Sequence, residues 1–211
     1  MASTPTTRDR LLQRGILLEA ALIAWNVVEG IIAVTAGLVS NSVALLGFGI
    51  DSFIELTSSA VVLRRLVKEK RGQTAAETER LEQRTRQIAS SLLLGLALYI
   101  TLDAGRRLLG YGGEPRESLV GIVLTALSLV VMPWFGWAIL RTARELGSRA
   151  MRADAFETIG CTWLSLATLI GLTLNATLGW TWADPVAALV IVPLLVREGL
   201  EGWRGDECEH E

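Results

Sequence analysis

Apolar residues gather in six long blocks along the chain. The blocks cover residues 15–38, 42–63, 88–109, 118–140, 155–176 and 183–200. Each has about the length of ~20 residues that a helix needs to cross the hydrocarbon core of a bilayer. Because lipid offers no partner to backbone polar groups, helices are the expected form of such blocks. The pattern predicts an all-α, polytopic membrane protein with six transmembrane helices in one domain.

A water-soluble helical bundle is the alternative explanation for this apolar pattern. Such a bundle would need helices with charged outer faces. Residues 118–140 and 162–178 contain no charged residue, and 51% of the whole chain is hydrophobic. This composition favours the membrane protein over the soluble bundle.

The basic residues indicate how the chain would be oriented. With six spans, both termini lie on one side, and all but three of the 20 basic residues fall on that side. Arg106, Arg107 and Arg116 are the exceptions. The positive-inside rule then predicts cytoplasmic termini in a multi-pass protein, which we assign to a bacterial inner membrane. We expect a flexible arm at 1–14, a transmembrane domain at 15–203 with a cytoplasmic loop at 64–86, and an acidic tail at 204–211.

Two acids, Asp51 and Glu55, stand in the middle of the second block. A charged side chain in the membrane costs at least ~2.5–3.5 kcal/mol, so such residues face a protein interior or a wet cavity. Their spacing of four puts both carboxylates on one helix face. Two carboxylates that converge on one point repel each other unless a proton or a cation lies between them.

Glu157 and Cys161 form a second pair with the same spacing in the fifth block. Helices two and five run in opposite directions, so an antiparallel pairing would bring both pairs to a similar depth. Three carboxylates and a thiol make four donors, the usual number for zinc. Hard cations such as magnesium prefer oxygen donors alone. Cys161 is equally well explained as a small buried apolar residue, and this choice stays open.

Three further acids in the blocks allow simpler explanations. Glu19 lies near the expected cytoplasmic end of the first helix, where we expect a structural side chain that reaches the headgroups. Asp103 precedes Arg106 and Arg107 by three and four residues, a spacing typical of a local ion pair. Glu29 either lines a cavity or makes a polar contact between helices.

Three stretches of the chain resemble signatures of the cation diffusion facilitator family. "GLVSNSVALLGFGIDSFIEL" is similar to the S-x-A-L-L run that leads to D-S-x-x-D or H-S-x-x-D in the second helix. "RADAFETIGC" resembles R-A-D-x-x-H-x-x-x-D of the fifth helix, and "WADPVAALVIVPLLV" resembles the D-P-x-x-A opening of the sixth. The three stretches occur in the family's order, and they cover essentially the whole transmembrane part.

The resemblance implies a cation-efflux-type bundle and a homodimeric transporter that exchanges Zn²⁺ or a similar divalent ion for protons. It implies a metal site at Asp51, Glu55, Glu157 and Cys161. Glu55 and Cys161 stand where the family has Asp, and Glu157 stands where it has His, so the ion is open among zinc, cadmium, iron, cobalt and manganese. Asp154 matches another recurrent acid, which would lie at the inner mouth of the site or support its ligands.

The resemblance also leads to expectations about partners. Family members commonly carry a cytoplasmic domain after the sixth helix, whereas only "REGLEGWRGDECEHE" follows here. The chain therefore looks like the short members without that domain, and a dimer would form through the membrane helices or the 64–86 loop. We expect membrane lipid and a divalent metal ion as partners, and no nucleic acid.

The mechanism expected from the residues is alternating access, with protons displacing the metal from the acids. Two alternatives remain: a non-transporting metal sensor or partner subunit with the same fold, and a cation channel lined by Glu29 and the same acids. An enzyme is not expected, because the chain has no P-loop and its one histidine is His210 in the tail.

Overall fold

The structure of the protein, a computed structural model, describes residues 7–71 and 79–204. Within these ranges the chain folds into six α-helices and no strand. The helices are α1 (Thr7–Ser40), α2 (Val43–Lys70), α3 (Glu79–Leu108), α4 (Leu119–Leu146), α5 (Arg149–Leu178) and α6 (Ala183–Arg204). The prediction of an all-α polytopic bundle is confirmed. Residues 1–6 of the expected arm and 205–211 of the expected tail lie outside the described residues.

Five helices of the described part are long and apolar enough to cross a membrane: α1, α2, residues 87–108 of α3, α4 and α5. The protein is therefore a multi-pass membrane protein. The sixth, α6, is 22 residues long and is not among these five. It carries Asp184, Arg197, Glu198 and Glu201, and these charges lower its hydropathy. It packs against α3 and α5 as part of the bundle.

Caps explain where several helices begin and end. Ser42, Ser118 and Ser148 are the N-caps of α2, α4 and α5, and each accepts a hydrogen bond from a backbone amide of the first turn. Gly147 and Gly179 end α4 and α5 in the left-handed conformation, with φ of 68° and 65°. These caps separate consecutive apolar helices that would otherwise continue into one another.

The two ends of the bundle differ in their contacts. We call the end with the α1–α2, α3–α4 and α5–α6 connections the loop face, and the end with both chain termini the terminal face. At the loop face, Arg107 pairs with Asp103 at 2.9 Å, which confirms the predicted ion pair, and donates to Asn41. At the terminal face, Arg8 pairs with Glu69 at 2.5 Å.

Helix α2 lies at the centre of the bundle, where it contacts α1, α3, α5 and α6. Its small residues allow the closest of these contacts. A Cβ atom on Gly49 would lie 2.7 Å from the backbone nitrogen of Val34, so a larger residue would push α1 away. This packing fixes the face of α2 that carries Asp51 and Glu55 towards the interior.

The buried apolar side chains form two clusters, one towards each face. The loop-side cluster includes Phe48, Ile54, Ile100, Leu164 and Leu195. The terminal-side cluster includes Leu22, Val62, Leu66, Met151 and Ala155. On α2 and α5 the transition between the clusters falls at residues 55–61 and 156–163. Glu55, Glu157 and Cys161 therefore lie at the boundary between the two apolar clusters, and Asp51 lies one turn from it on the loop side.

Candidate metal site between α2 and α5

Asp51 and Glu55 point into the protein from consecutive turns of α2. Their exposed fractions are 5% and 1%. Small neighbours on the same helix, among them Ser52 and Ser59, are buried as well. The i, i+4 spacing thus places two carboxylates together in the protein interior.

Cys161 of α5 approaches both carboxylates. Its sulfur lies 3.4 Å from Oδ2 of Asp51 and 3.2 Å from Oε2 of Glu55, so the two carboxylates share the single S–H group as donor. The side chain is 5% exposed. Among the described residues, Oε1 of Glu55 has no hydrogen-bond partner and is available as an acceptor. Three of the four side chains proposed from the sequence therefore meet at one point.

Glu157, the fourth side chain, lies one turn from Cys161 towards the terminal face and is half-buried. Its carboxylate is within hydrogen-bonding reach of Ser58, and its charge acts on Glu55 and Asp51. Within residues 7–71 and 79–204, no three Asp, Glu, Cys or His side chains form a ready-made metal centre. The thiol contacts one oxygen of each carboxylate instead, and Oε1 of Glu55 stays without a partner among the described residues. Binding a metal here requires the thiol to lose its proton and Glu157 to turn towards it.

Glu198 of α6 also faces this site, and the sequence analysis missed it. A Cβ atom on Gly160 would lie 3.1 Å from Oε1 of Glu198, so the carboxylate fills the space beside the residue that precedes Cys161. Its negative charge acts on Asp51, Glu55 and Glu157. Glu198 is half-buried.

A sequence signal for Glu198 does exist. Its basic neighbour Arg197 forms an i, i+4 ion pair with Glu201 at 2.7 Å. Glu198 lies on a different face of α6, next to an apolar run, with no basic residue one turn away in either direction. Spacing within α6 does not show that this carboxylate approaches α5, because the contact depends on how the two helices pack.

Glu29 makes a polar contact between helices, one of the two roles that the sequence allowed. It is 1% exposed and accepts hydrogen bonds from Ser52 of α2 at 3.0 Å, from Ser128 of α4, and from Trp25 at 3.2 Å. Its carboxylate therefore ties three helices together near Asp51, at the level of Ser52.

Glu19 and Asp154 differ from their expected positions. Glu19 is fully buried, so the prediction that it reaches the headgroups is wrong. The physical reason is that α1 begins at Thr7, which places about three helical turns between its start and Glu19. Asp154 is 1% exposed and accepts from Ser59 at 3.0 Å. It lies in the interior rather than at an exposed mouth.

The sequence model of the cation efflux transmembrane domain matches residues 20–202. The chain belongs to the cation efflux family. This confirms the resemblance to cation diffusion facilitators that the three motifs suggested.

Curated relatives of this cation efflux protein come from several bacteria. An uncharacterised transporter of Synechocystis is 27% identical over 81% of the chain and 54% of its own length. Two proteins named cadmium, cobalt and zinc/H⁺–K⁺ antiporters, from Bacillus subtilis and Bacillus velezensis, are each 24% identical over 84% of the chain and 58% of their own length. The chain thus spans between half and two thirds of the length of these relatives.

The aspartate of the cation efflux motif D-P has a structural role in this protein. Asp184, at the start of α6, accepts from the hydroxyl of Ser42 and, at 2.8 Å, from the amide of Val43. Ser42 is also the N-cap of α2. The motif residues at the loop face therefore join the beginnings of α2 and α6.

Proposed function

We propose that this cation efflux protein carries a divalent metal cation across the membrane in exchange for protons, through the site between α2 and α5. The observation that carries this proposal is the convergence of Cys161 with Asp51 and Glu55. The named activities of the two Bacillus antiporters support it. A buried site with several ionisable donors has no evident purpose in a purely structural membrane bundle.

Zinc is the first candidate for the transported ion. Thiolate and carboxylate donors together suit Zn²⁺, and the soft sulfur also accepts Cd²⁺, whereas Mg²⁺ and Ca²⁺ prefer oxygen alone. In the metal-bound state, Asp51, Glu55, Glu157 and the Cys161 thiolate supply the donors. Glu198 contributes a further carboxylate from α6, either to the ion directly or through its negative field.

Charge balance explains why metal and protons would exchange. Ionised carboxylates cannot stay close together in a low-dielectric interior without compensation. A divalent cation supplies it in one state, and protons on the acids and the thiol supply it in the other. Because the ligands must be deprotonated to bind metal, occupancy by protons and by metal exclude each other.

Alternating access follows from the position of the site between the two apolar clusters. Each cluster blocks one way to the site, so the ion passes when α2 and α5 move relative to their neighbours and open one side at a time. We assign both termini to the cytoplasm of a bacterial inner membrane, a homodimer as the working form, and export as the direction when a proton gradient points inward.

The experiment that tests this function uses the full chain in proteoliposomes with a metal-sensitive and a pH-sensitive dye inside. Wild type is expected to move Zn²⁺ and protons in opposite directions. Asp51→Ala should abolish both fluxes, while Asp103→Asn, which removes an acid of the loop-face ion pair, should keep them. Metal-dependent proton flux that survives Asp51→Ala would reject the proposal.

The same vesicles separate the alternative functions. A metal sensor or partner subunit would bind Zn²⁺ without moving it. A channel would show no saturation at micromolar metal, whereas a transporter that binds its ion in every cycle saturates.

A further inference from the structure

A second pair of carboxylates lies in the interior, towards the terminal face from the site described above. Glu19 of α1 and Asp154 of α5 are 0% and 1% exposed, and Asp154 is the acid whose charge acts most strongly on Glu19. Asp154 is about two helical turns, ~10 Å, from Cys161 along α5. The pair is therefore separate from the point where Cys161 meets Asp51 and Glu55.

The carboxylate of Glu19 has no donor. Among the described residues, neither of its oxygens has a hydrogen-bond partner, and Oδ2 of Asp154 has none either. The group that faces Glu19 is another acceptor. Since almost all buried polar atoms in proteins are satisfied, a fully buried carboxylate with two unpartnered oxygens indicates a missing positive group.

Within the described part of the chain, the surroundings do not supply that positive group. The charged residues that act on Glu19 are Asp154, Glu55 and Glu157, all of them acids. Ser59 donates a hydrogen bond to Asp154 at 3.0 Å, and Ser58 also acts on Asp154. Among the described residues, no hydroxyl group donates to Glu19. Two acids without a basic partner in a low-dielectric interior need a cation or a shared proton.

The packing at the terminal face encloses the pair. One turn before Glu19, a Cβ atom on Gly15 would lie 3.1 Å from Leu66 and 3.2 Å from Met151. Apolar residues within three positions of Glu19, Ser59 and Asp154 are buried in the terminal-side cluster. These residues are Leu22, Val62 and Ala155. An apolar layer thus covers the pair on the side of the chain termini.

We infer that Glu19 and Asp154 form a second site for a divalent cation, between the terminal face and the central site. Two carboxylates neutralise one divalent ion and offer up to four oxygens, with the hydroxyls of Ser58 and Ser59 beside them. This inference rests on the proposed transport function, because the pair then holds the ion on its path to or from Cys161. The charges of Glu55 and Glu157 act on Glu19. We place these two acids between the second site and the central site.

The ligand atoms distinguish the two sites. The central site contains sulfur, whereas the Glu19–Asp154 site contains oxygen alone and suits Mn²⁺ or Mg²⁺ as well as Zn²⁺. Cobalt(II) reports the difference, because a thiolate ligand gives a charge-transfer absorption in the near ultraviolet and carboxylates do not.

The test measures bound Co²⁺ per chain for the full-length protein in nanodiscs, by equilibrium dialysis and by absorption. Wild type is expected to bind two equivalents. Glu19→Gln and Asp154→Asn should each bind one and keep the thiolate absorption, while Cys161→Ser should lose that absorption and keep the equivalent that depends on Glu19. Asp103→Asn is the matched acid-to-amide control and should bind as wild type does.

Unchanged Co²⁺ stoichiometry in both Glu19→Gln and Asp154→Asn, with wild-type melting temperatures, would overturn the second site. Absence of the thiolate absorption in wild type would instead count against the central site. In that case, the difference in bound Co²⁺ per chain between wild type and Glu19→Gln would still decide whether the second site exists. If Glu19→Gln fails to fold, Glu19→Asp, which shortens the side chain but keeps its charge, should lower the affinity of the second equivalent.

Discussion

The sulfur of Cys161 lies 3.2 Å from Oε2 of Glu55, across the contact between α5 and α2. This contact joins a soft donor to a hard one in a buried environment. It also shows that the antiparallel helices α2 and α5 bring Cys161 to the pair of acids on α2. The predictions below depend on this arrangement.

Replacing the sulfur should change the ion preference. Cys161→Ser should weaken binding of Cd²⁺ by at least about tenfold, because a hydroxyl is a poor ligand for a soft ion. Binding of Mn²⁺ should change much less. Competition dialysis with the two ions measures the ratio. Cys161→Asp, which restores the acid of the family motif, should keep metal binding while lowering the Cd²⁺ preference; an unchanged ratio in both variants would show that sulfur does not bind the ion.

Metal affinity should rise with pH. The Cys161 thiol and the acids must release protons before they bind the ion, so metal binding releases protons and weakens as pH falls. The affinity should change by up to about tenfold per pH unit for each proton displaced. Titration calorimetry between pH 6 and pH 8, in buffers with different ionisation enthalpies, gives the number of protons. Metal binding to Glu55→Gln should release fewer protons than metal binding to wild type. An equal number of released protons would show that Glu55 does not bind the ion.

Glu198→Gln should reduce Zn²⁺ affinity, since it removes a negative charge that acts on Asp51, Glu55 and Glu157. We expect a loss of about three- to thirtyfold, by analogy with the 10–100-fold losses seen when groups next to metal ligands are changed. Glu201→Gln is the control, because that acid is on the same helix and pairs with Arg197. Equal affinities in the two variants would contradict a role for Glu198.

Gly160→Ala tests the same contact from the other side. The added methyl would lie 3.1 Å from Oε1 of Glu198, so the carboxylate must shift by a few tenths of an ångström. We expect a smaller loss of affinity than in Glu198→Gln, and no further loss when the two changes are combined. Additive losses in this double-mutant cycle would mean that the two residues act independently.

Asp184→Asn should destabilise the protein without altering the ion preference. The amide group cannot accept from both the Ser42 hydroxyl and the Val43 amide, and leaving a buried donor unsatisfied costs about 1–3 kcal/mol. Thermal unfolding in detergent measures the effect. The ratio of Cd²⁺ to Mn²⁺ binding should stay as in wild type, and a changed ratio would place Asp184 in the metal path.

The helices could be predicted from the sequence because each apolar block satisfies a simple length requirement. Their ends could not. Helix α1 begins at Thr7 and α2 continues to Lys70, since polar residues extend a helix beyond the membrane without any apolar signal. The polar extension of α1 before the apolar block also explains why Glu19 lies deeper in the protein than predicted. Helix α5 likewise begins at Arg149, before the apolar block starts.

The site was predictable to the extent that it depends on spacing within one helix. Asp51 with Glu55, and Glu157 with Cys161, follow from the i, i+4 rule. The contact of Cys161 with both acids of α2 depends on the rotation and depth of two packed helices. The family resemblance implied that these residues meet, whereas spacing alone did not. The approach of Glu198 to Gly160, and of Glu19 to Asp154, involves helices distant in sequence, so no local pattern reveals it.

The charged groups that act on Asp51, Glu55 and Glu157 are acids without exception among the described residues. A site with one sign of charge and low-dielectric surroundings attracts ions of the opposite sign. Metal in a cell is mostly held by phosphates, thiols and organic acids, and such complexes are often anionic. In the proposed transporter, the negative potential of the site would reject these complexes and admit the bare or hydrated cation. The rate of transport should therefore follow the activity of the free ion rather than the total metal concentration.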